Sequence, residues 1–173
     1  MQDESTMNFE SDFDVEDEYK PDPLCAVGTY KGHVINVVFH AEHQSINFTV
    51  ALSDNEGVMS DGVTPVDGSY HFYPVWLPRA DDGNIMTPSG KQTKRQYKIN
   101  QIKKFGEQMK IAIQTKEHII EALTTGLWMG IPVYVKLKLD TYEGNTRNVV
   151  DKMFRNDTGD VITVPDPTDD LPF

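Results

Sequence analysis

The sequence predicts a mainly β domain of the α+β class, with a helical insert, between two disordered acidic tails. Residues 44–53 and 131–142 alternate apolar and polar side chains, which is the pattern of a strand with one buried face. Between them, Ile99, Ile102 and Phe105 recur at a spacing of three, which indicates a helix. Acidic residues concentrate at both ends of the chain.

Three strands are predicted before the insert. Residues 27–39 are rich in β-branched and aromatic side chains, and residues 44–53 follow with clear alternation. The two runs predict a hairpin around residues 41–43. Residues 69–77 form the third strand, and Pro74 within it indicates an edge or bulged strand, because proline cannot donate to a sheet ladder.

Two helices and two strands complete the predicted domain. The first helix reaches Phe105, with Gly106 as its stop signal, and the second covers residues 116–125. The strand over residues 131–142 turns Val133, Val135, Leu137, Leu139 and Thr141 to its buried face. A last strand lies within residues 145–154. This order fits a small Greek-key barrel of the OB type, and other β-rich folds fit it too.

The charge distribution divides the chain into three parts. The whole chain has 16 Lys and Arg against 27 Asp and Glu, for a net charge of -11. Residues 1–23 carry -8, residues 156–173 carry -5, and residues 24–155 are slightly basic at +2. High charge with few apolar residues predicts disordered tails around a folded domain. Residues 161–164 predict a short edge strand inside the second tail.

Several function classes have no support in the sequence. No apolar run reaches the roughly 18 residues of a membrane span, and the acidic N-terminus is unlike a secretory signal. These absences, with a single cysteine, favour the cytoplasm, which would be that of a host cell if the protein is viral. The phosphate-loop-like Ser89-Gly90-Lys91 lacks the required flanking residues, and His40 and His43 have no cysteine or further histidine nearby. We therefore expect no catalytic residues, no metal and no cofactor.

A basic stretch covers residues 91–110, which contain seven Lys and Arg and one acidic residue. Point charges of this kind bind phosphates through counterion release. The alternative is an ordinary solvated helix face. On a helix the following residues share one face: Lys91, Lys94, Arg95 and Lys98.

Tyrosine and lysine alternate on the outer face of the strand over residues 131–142. Aromatic rings stack on unpaired bases while lysines contact the backbone, which suits single-stranded nucleic acid. Trp76 and Tyr73 would extend this platform, whereas Phe72 and Trp128 are expected in the core. The outer-face residues are Tyr134, Lys136, Lys138 and Tyr142.

The chain ends in two acids, an apolar residue, a proline and a phenylalanine. A terminal ring with a free carboxylate on an acidic stem can be captured by a basic-rimmed apolar pocket of a partner. This end resembles the acidic tip of bacterial single-stranded-DNA-binding proteins, Asp-Asp-Asp-Ile-Pro-Phe, with Leu171 for Ile and Thr168 for the first Asp. In that family the tip binds replication, recombination and repair enzymes. The tip residues are Asp169, Asp170, Leu171, Pro172 and Phe173.

The body resembles bacteriophage single-stranded-DNA-binding proteins, loosely, over residues 27–155. The resemblance is carried by the helix-rich insert before residues 133–139 and by the run Tyr142-Glu143-Gly144-Asn145-Thr146-Arg147-Asn148. It implies an OB fold that binds single-stranded DNA with little sequence preference during replication, recombination and repair. An accessory interaction protein that binds no DNA is the alternative. A DNA mimic fits less well, because the acids lie in the tails, and a homo-oligomer is left open.

Overall fold

The structure is a computed structural model that describes residues 2–163. It confirms a mainly β domain with a helical insert between the third and fourth strands. The elements, in chain order, are β1 (Gly28–His40), β2 (Ser45–Leu52), β3 (Tyr70–Trp76), α1 (Lys94–Met109), α2 (Lys116–Thr125), β4 (Pro132–Tyr142) and β5 (Asn145–Arg155).

All five strands belong to one antiparallel sheet, in the order β3-β2-β1-β4-β5. The two edge strands, β3 and β5, lie against each other, so the sheet curls into a partly open barrel. A five-stranded Greek-key barrel with its helical insert before the fourth strand is the OB-type arrangement.

The long strand β1 bends, and it pairs with both β2 and β4. Gly32 lies at the crossing, paired with Leu52 of β2 and Val133 of β4. A Cβ atom at Gly32 would lie 2.6 Å from the carbonyl oxygen of Ala51, so a larger residue would force the strands apart. A bulge between Val34 and Asn36 adds to the bend, as bulges commonly do.

The core of the barrel is formed by the inward-facing residues of its strands. Ile46, Phe48, Val50 and Leu52 of β2 are all buried, as their spacing predicts. The ring of Phe48 lies 5.1 Å from that of Phe105 in α1 and 5.8 Å from that of Trp128. The insert therefore packs into the barrel, and the expected core position of Trp128 is confirmed.

The helix boundaries follow local capping chemistry. At the start of α1, Thr93 and Gln96 form a reciprocal capping box. The predicted stop at Gly106 is wrong, because α1 continues to Met109. Gly106 meets a packing need instead, since a Cβ there would lie 2.8 Å from the carbonyl oxygen of Ile111. The predicted bounds of α2, residues 116–125, are confirmed.

The β4–β5 hairpin extends beyond the barrel. Its turn is Glu143-Gly144, both with positive φ, which suits a tight hairpin. The expectation that Leu139 is buried is wrong: the side chain is 46% exposed, because β4 has left the core at that point. The hairpin end is consequently a solvent-exposed arm.

The segments flanking the barrel differ in their contacts. Residues before 24 contain two exposed 3-10 turns, Glu4–Thr6 and Val15–Asp17, and their disorder stays a prediction. Residues 156–163 return to the body, where Ile162 forms a parallel bridge with Ile111. The short edge strand predicted over residues 161–164 is thus a single bridge within the described residues. The tip, Asp169 to Phe173, lies outside the described residues.

Candidate nucleic-acid interface

Strand β3 presents a row of aromatic rings to solvent. Tyr70, Phe72 and Trp76 are 62%, 65% and 51% exposed, and we call these three the aromatic row. Their shared parity on the strand places them on the outer face, while His71 and Val75 point inward. The expectation that Phe72 is a core residue is therefore wrong. Parity along β3 is the sequence signal that could have identified Tyr70 and Phe72.

Small neighbours on β2 leave these rings accessible. Ala51 is paired with Tyr70, and Thr49 is paired with Phe72. Neither neighbour is long enough to cover an aromatic face, so the row remains available for stacking. An exposed apolar patch of this kind usually marks an interaction site.

An open groove of about 1610 Å³ runs between β3 and the β4–β5 hairpin. Tyr70 and Phe72 line it from β3, and Lys138 lines it from β4. The N-terminal segment lines it as well, through Tyr19 and residues 21–24. Two hydrogen bonds of 2.8 Å fix the end of that segment, because Leu24 exchanges them with the backbone N–H and the hydroxyl of Ser60.

The predicted facing of β4 is confirmed along most of the strand. Val133, Val135 and Leu137 are buried, and Tyr134, Lys136 and Lys138 are exposed. Strand pairing adds three residues that the sequence did not indicate. Tyr134 lies between Lys31 of β1 and Phe154 of β5. Lys136 lies opposite Lys152 of β5. We call this surface the β4 face, and its residues are Lys31, Tyr134, Lys136, Lys152 and Phe154.

The other two predicted nucleic-acid-binding residues of β4, Lys138 and Tyr142, lie further along the hairpin. The Nζ of Lys138 is 3.6 Å from the Oδ1 of Asp151, so its charge is partly compensated. Tyr142 is 69% exposed beside the turn of the arm, beyond the β4 face. Surface ion pairs such as this one contribute little to stability, so Lys138 can exchange its partner for a phosphate.

Tyr73 does not belong to the outer platform. It faces inward and stacks on Phe105, with ring centroids 5.5 Å apart and an interplanar angle of 15°. Burial raises the pKa of the Tyr73 hydroxyl, and the charge of Asp151 adds to this. The expectation that Tyr73 extends the stacking surface is wrong, because adjacent residues of a strand point to opposite faces.

The basic stretch is only partly a helix face. Lys94 and Arg95 are exposed in the first turn of α1, whereas Lys91 precedes the capping residue and lies in a loop. The Nζ of Lys98 is 2.6 Å from the Oδ2 of the buried Asp82, and this contact lowers the pKa of that carboxyl. Lys98 is thus part of a structural ion pair, and the expectation that it serves phosphate binding needs correction.

Metal and membrane features were also sought. Residues 2–163 contain no group of three or more His, Cys, Asp or Glu side chains that could hold a metal ion. In the same part of the chain, no helix is both long enough and apolar enough to cross a bilayer.

Comparison with solved structures shows a similarity to a DNA-binding protein. No protein-family model matches the chain, and no curated protein matches it. Among solved structures, the chain is similar to a small single-stranded DNA-binding protein from Streptomyces coelicolor, at 17% identity and a TM-score of 0.24. The match covers 78% of this chain and 95% of that chain.

Proposed function

We propose that this protein binds single-stranded DNA with little sequence preference. The observation that carries the proposal is the aromatic row of β3, three exposed rings along one strand beside an open groove. Every base has a π-face, so stacking on such rings is tolerant of sequence and contributes about 1–3 kcal/mol per base. The outer face of strands β2 and β3 is also where OB folds bind oligonucleotides.

Cations for the sugar–phosphate backbone are supplied by the β4 face. Lys31, Lys136 and Lys152 are exposed, and none of them pairs with a carboxylate among the described residues. Their charges are available to phosphates, and each contact would release a counterion from the nucleic acid. In the proposed complex, bases stack on the aromatic row and phosphates contact the cations of the β4 face.

Single strands are favoured over duplexes by this arrangement. In a duplex the faces of the bases are covered by their neighbours, so the aromatic row has nothing on which to stack. An unpaired strand exposes those faces and can lie along a groove. The proposal therefore includes a preference for single strands at equal salt.

The wider role follows from the sequence resemblance. We place the protein in phage DNA replication, recombination or repair, where it would protect single strands and recruit enzymes. Recruitment is assigned to the tip, which is the end of an acidic tail over residues 156–173. The binding domain is assigned to residues 24–155, behind an acidic segment over residues 1–23.

Fluorescence anisotropy tests the proposal with the full chain. Labelled single-stranded DNA, duplex DNA and single-stranded RNA of equal length are titrated at two salt concentrations. Single-stranded DNA should bind more tightly than duplex, and its affinity should fall as salt rises. A triple replacement of Lys31, Lys136 and Lys152 by Gln should weaken binding and reduce the salt dependence.

A matched control separates site contacts from general charge effects. Lys103, Lys104 and Lys116 are also exposed and lie off the β4 face, so their triple replacement by Gln makes the same charge change. Binding should fall much less in this control. Absence of single-strand binding at low salt, or equal binding of single and double strands, would refute the proposal and favour an accessory interaction protein.

A further inference from the structure

A small pocket lies between the end of β3 and the first half of α1. Its volume is about 210 Å³. This is below the 300–1,000 Å³ typical of pockets for drug-sized ligands, so it suits a single ring system rather than a peptide helix. It is lined by side chains of both elements, among them Trp76, Val75, Tyr97, Lys98, Gln101 and Phe105.

Two half-exposed aromatic rings border the pocket. Trp76 is 51% exposed and Tyr97 is 48% exposed, so both offer ring surface to a ligand. The inner wall is Tyr73 stacked on Phe105, and that pair is continuous with the core. The pocket thus combines aromatic walls with a rigid floor.

The position of α1 against β3 is fixed by buried polar contacts. Asp82, which is only 3% exposed, accepts a 2.6 Å hydrogen bond from Lys98 and a 2.7 Å bond from the backbone N–H of Arg79. Arg79 follows shortly after the last residue of β3, so this bridge ties the helix to the end of the strand. A pocket held in this way needs little rearrangement on binding.

Polar groups at the pocket are those a nucleotide requires. Gln101 is exposed and offers an amide for hydrogen bonds to a base edge. Lys94 and Arg95, in the preceding turn of α1, are exposed cations for phosphates. The aromatic row ends at Trp76, so a strand stacked on β3 would arrive at this pocket next.

We propose that this pocket receives one base of the bound single strand, between Trp76 and Tyr97, with the adjoining phosphate at Lys94 and Arg95. The inference rests on the proposed function and extends the site from the barrel onto the helical insert. It gives Lys94 and Arg95, two exposed cations of the basic stretch, a role in phosphate binding. Lys94 and Arg95, exposed one turn before Tyr97 and Lys98, favour a ligand that carries a phosphate.

The two tryptophans provide a direct readout. Trp76 borders the pocket, whereas Trp128 is 1% exposed in the core. Titration with oligothymidine should quench the intrinsic fluorescence, and Trp76→Phe should remove most of that change. Replacing Tyr97 with Ala should reduce affinity by about 5- to 140-fold, which corresponds to one lost base stack. Tyr97→Phe, which keeps the ring, should retain affinity.

Control variants separate the pocket from folding and from general charge. Ile99→Ala lies on the same helix but outside the pocket lining, so it should leave binding unchanged. Replacing Lys94 and Arg95 by Gln should lower the salt slope, whereas Tyr97→Ala should not, since it removes no phosphate contact. Photocrosslinking with 5-bromodeoxyuridine oligonucleotides should label Tyr97, which lines the pocket and lies outside the aromatic row.

The outcomes distinguish the two proposals. If the protein binds single strands, but Tyr97→Ala matches Ile99→Ala and Tyr97 is not crosslinked, the pocket is not a base site and the proposed function still stands. If no single strand binds at low salt, both proposals fail. Should Tyr97→Ala unfold the protein, the crosslink in the wild type decides: labelling of Tyr97 supports the pocket, and its absence overturns it.

Discussion

Replacing Phe72 by Ala is the most discriminating perturbation of the proposed site. The ring is 65% exposed at the middle of the aromatic row, and its β2 neighbour is only Thr49. In the free protein it therefore contributes little packing, whereas in a complex it would carry a stacked base. Stability and binding should respond very differently to this one change.

The magnitudes follow from exposure. Truncation of a fully buried Phe lowers the free energy of unfolding by about 3–5 kcal/mol. Because roughly one third of the surface of Phe72 is buried, its truncation should lower the free energy of unfolding by about 1 kcal/mol. Loss of a stacked base costs about 1–3 kcal/mol of binding free energy. At about 1.4 kcal/mol for each factor of ten, affinity should fall by about 5- to 140-fold.

Anisotropy with labelled oligothymidine at two salt concentrations measures the binding loss, and urea denaturation measures stability. The salt slope should not change, because Phe72 contacts no phosphate. Val63→Ala is the control, since that side chain is 76% exposed and does not line the groove. Phe72→Ala with wild-type affinity would refute stacking on the row, and loss of folding would mean that the ring is structural.

Three further outcomes are expected. Deleting residues 2–22 should tighten single-strand binding in anisotropy, because the segment that lines the groove is removed together with its acids. Deleting residues 164–173 removes three carboxylates and the tip, so a pull-down should lose partners while low-salt affinity for single strands rises. Burial lowers the pKa of His71 in the folded protein. The free energy of unfolding should therefore fall as the pH drops below about 6.5, because the unfolded chain takes up the proton more readily than the folded protein. The variant His71→Gln should show a weaker pH dependence of stability in urea titrations.

Local patterning in the sequence was enough to determine the facing of β2 and of the first half of β4, and the bounds of α2. Side chains alternate with period two along a strand, and a one-residue slip would expose a whole buried set. The buried residues of β2 and the outward Tyr134 and Lys136 of β4 follow from this rule. The N-cap Thr115 follows similarly, because its side chain accepts from the backbone N–H of His118 only three residues away.

Only the tertiary structure decided which strands and side chains meet. Tyr134 gains Lys31 and Phe154 through register with strands about a hundred residues before and twenty after it. Tyr73 meets Phe105 because α1 folds back against β3, and Lys98 is held by Asp82 because a loop closes over the helix. These pairings arise from long-range packing, whose free energy depends on the whole core, so no local pattern along the chain encodes them.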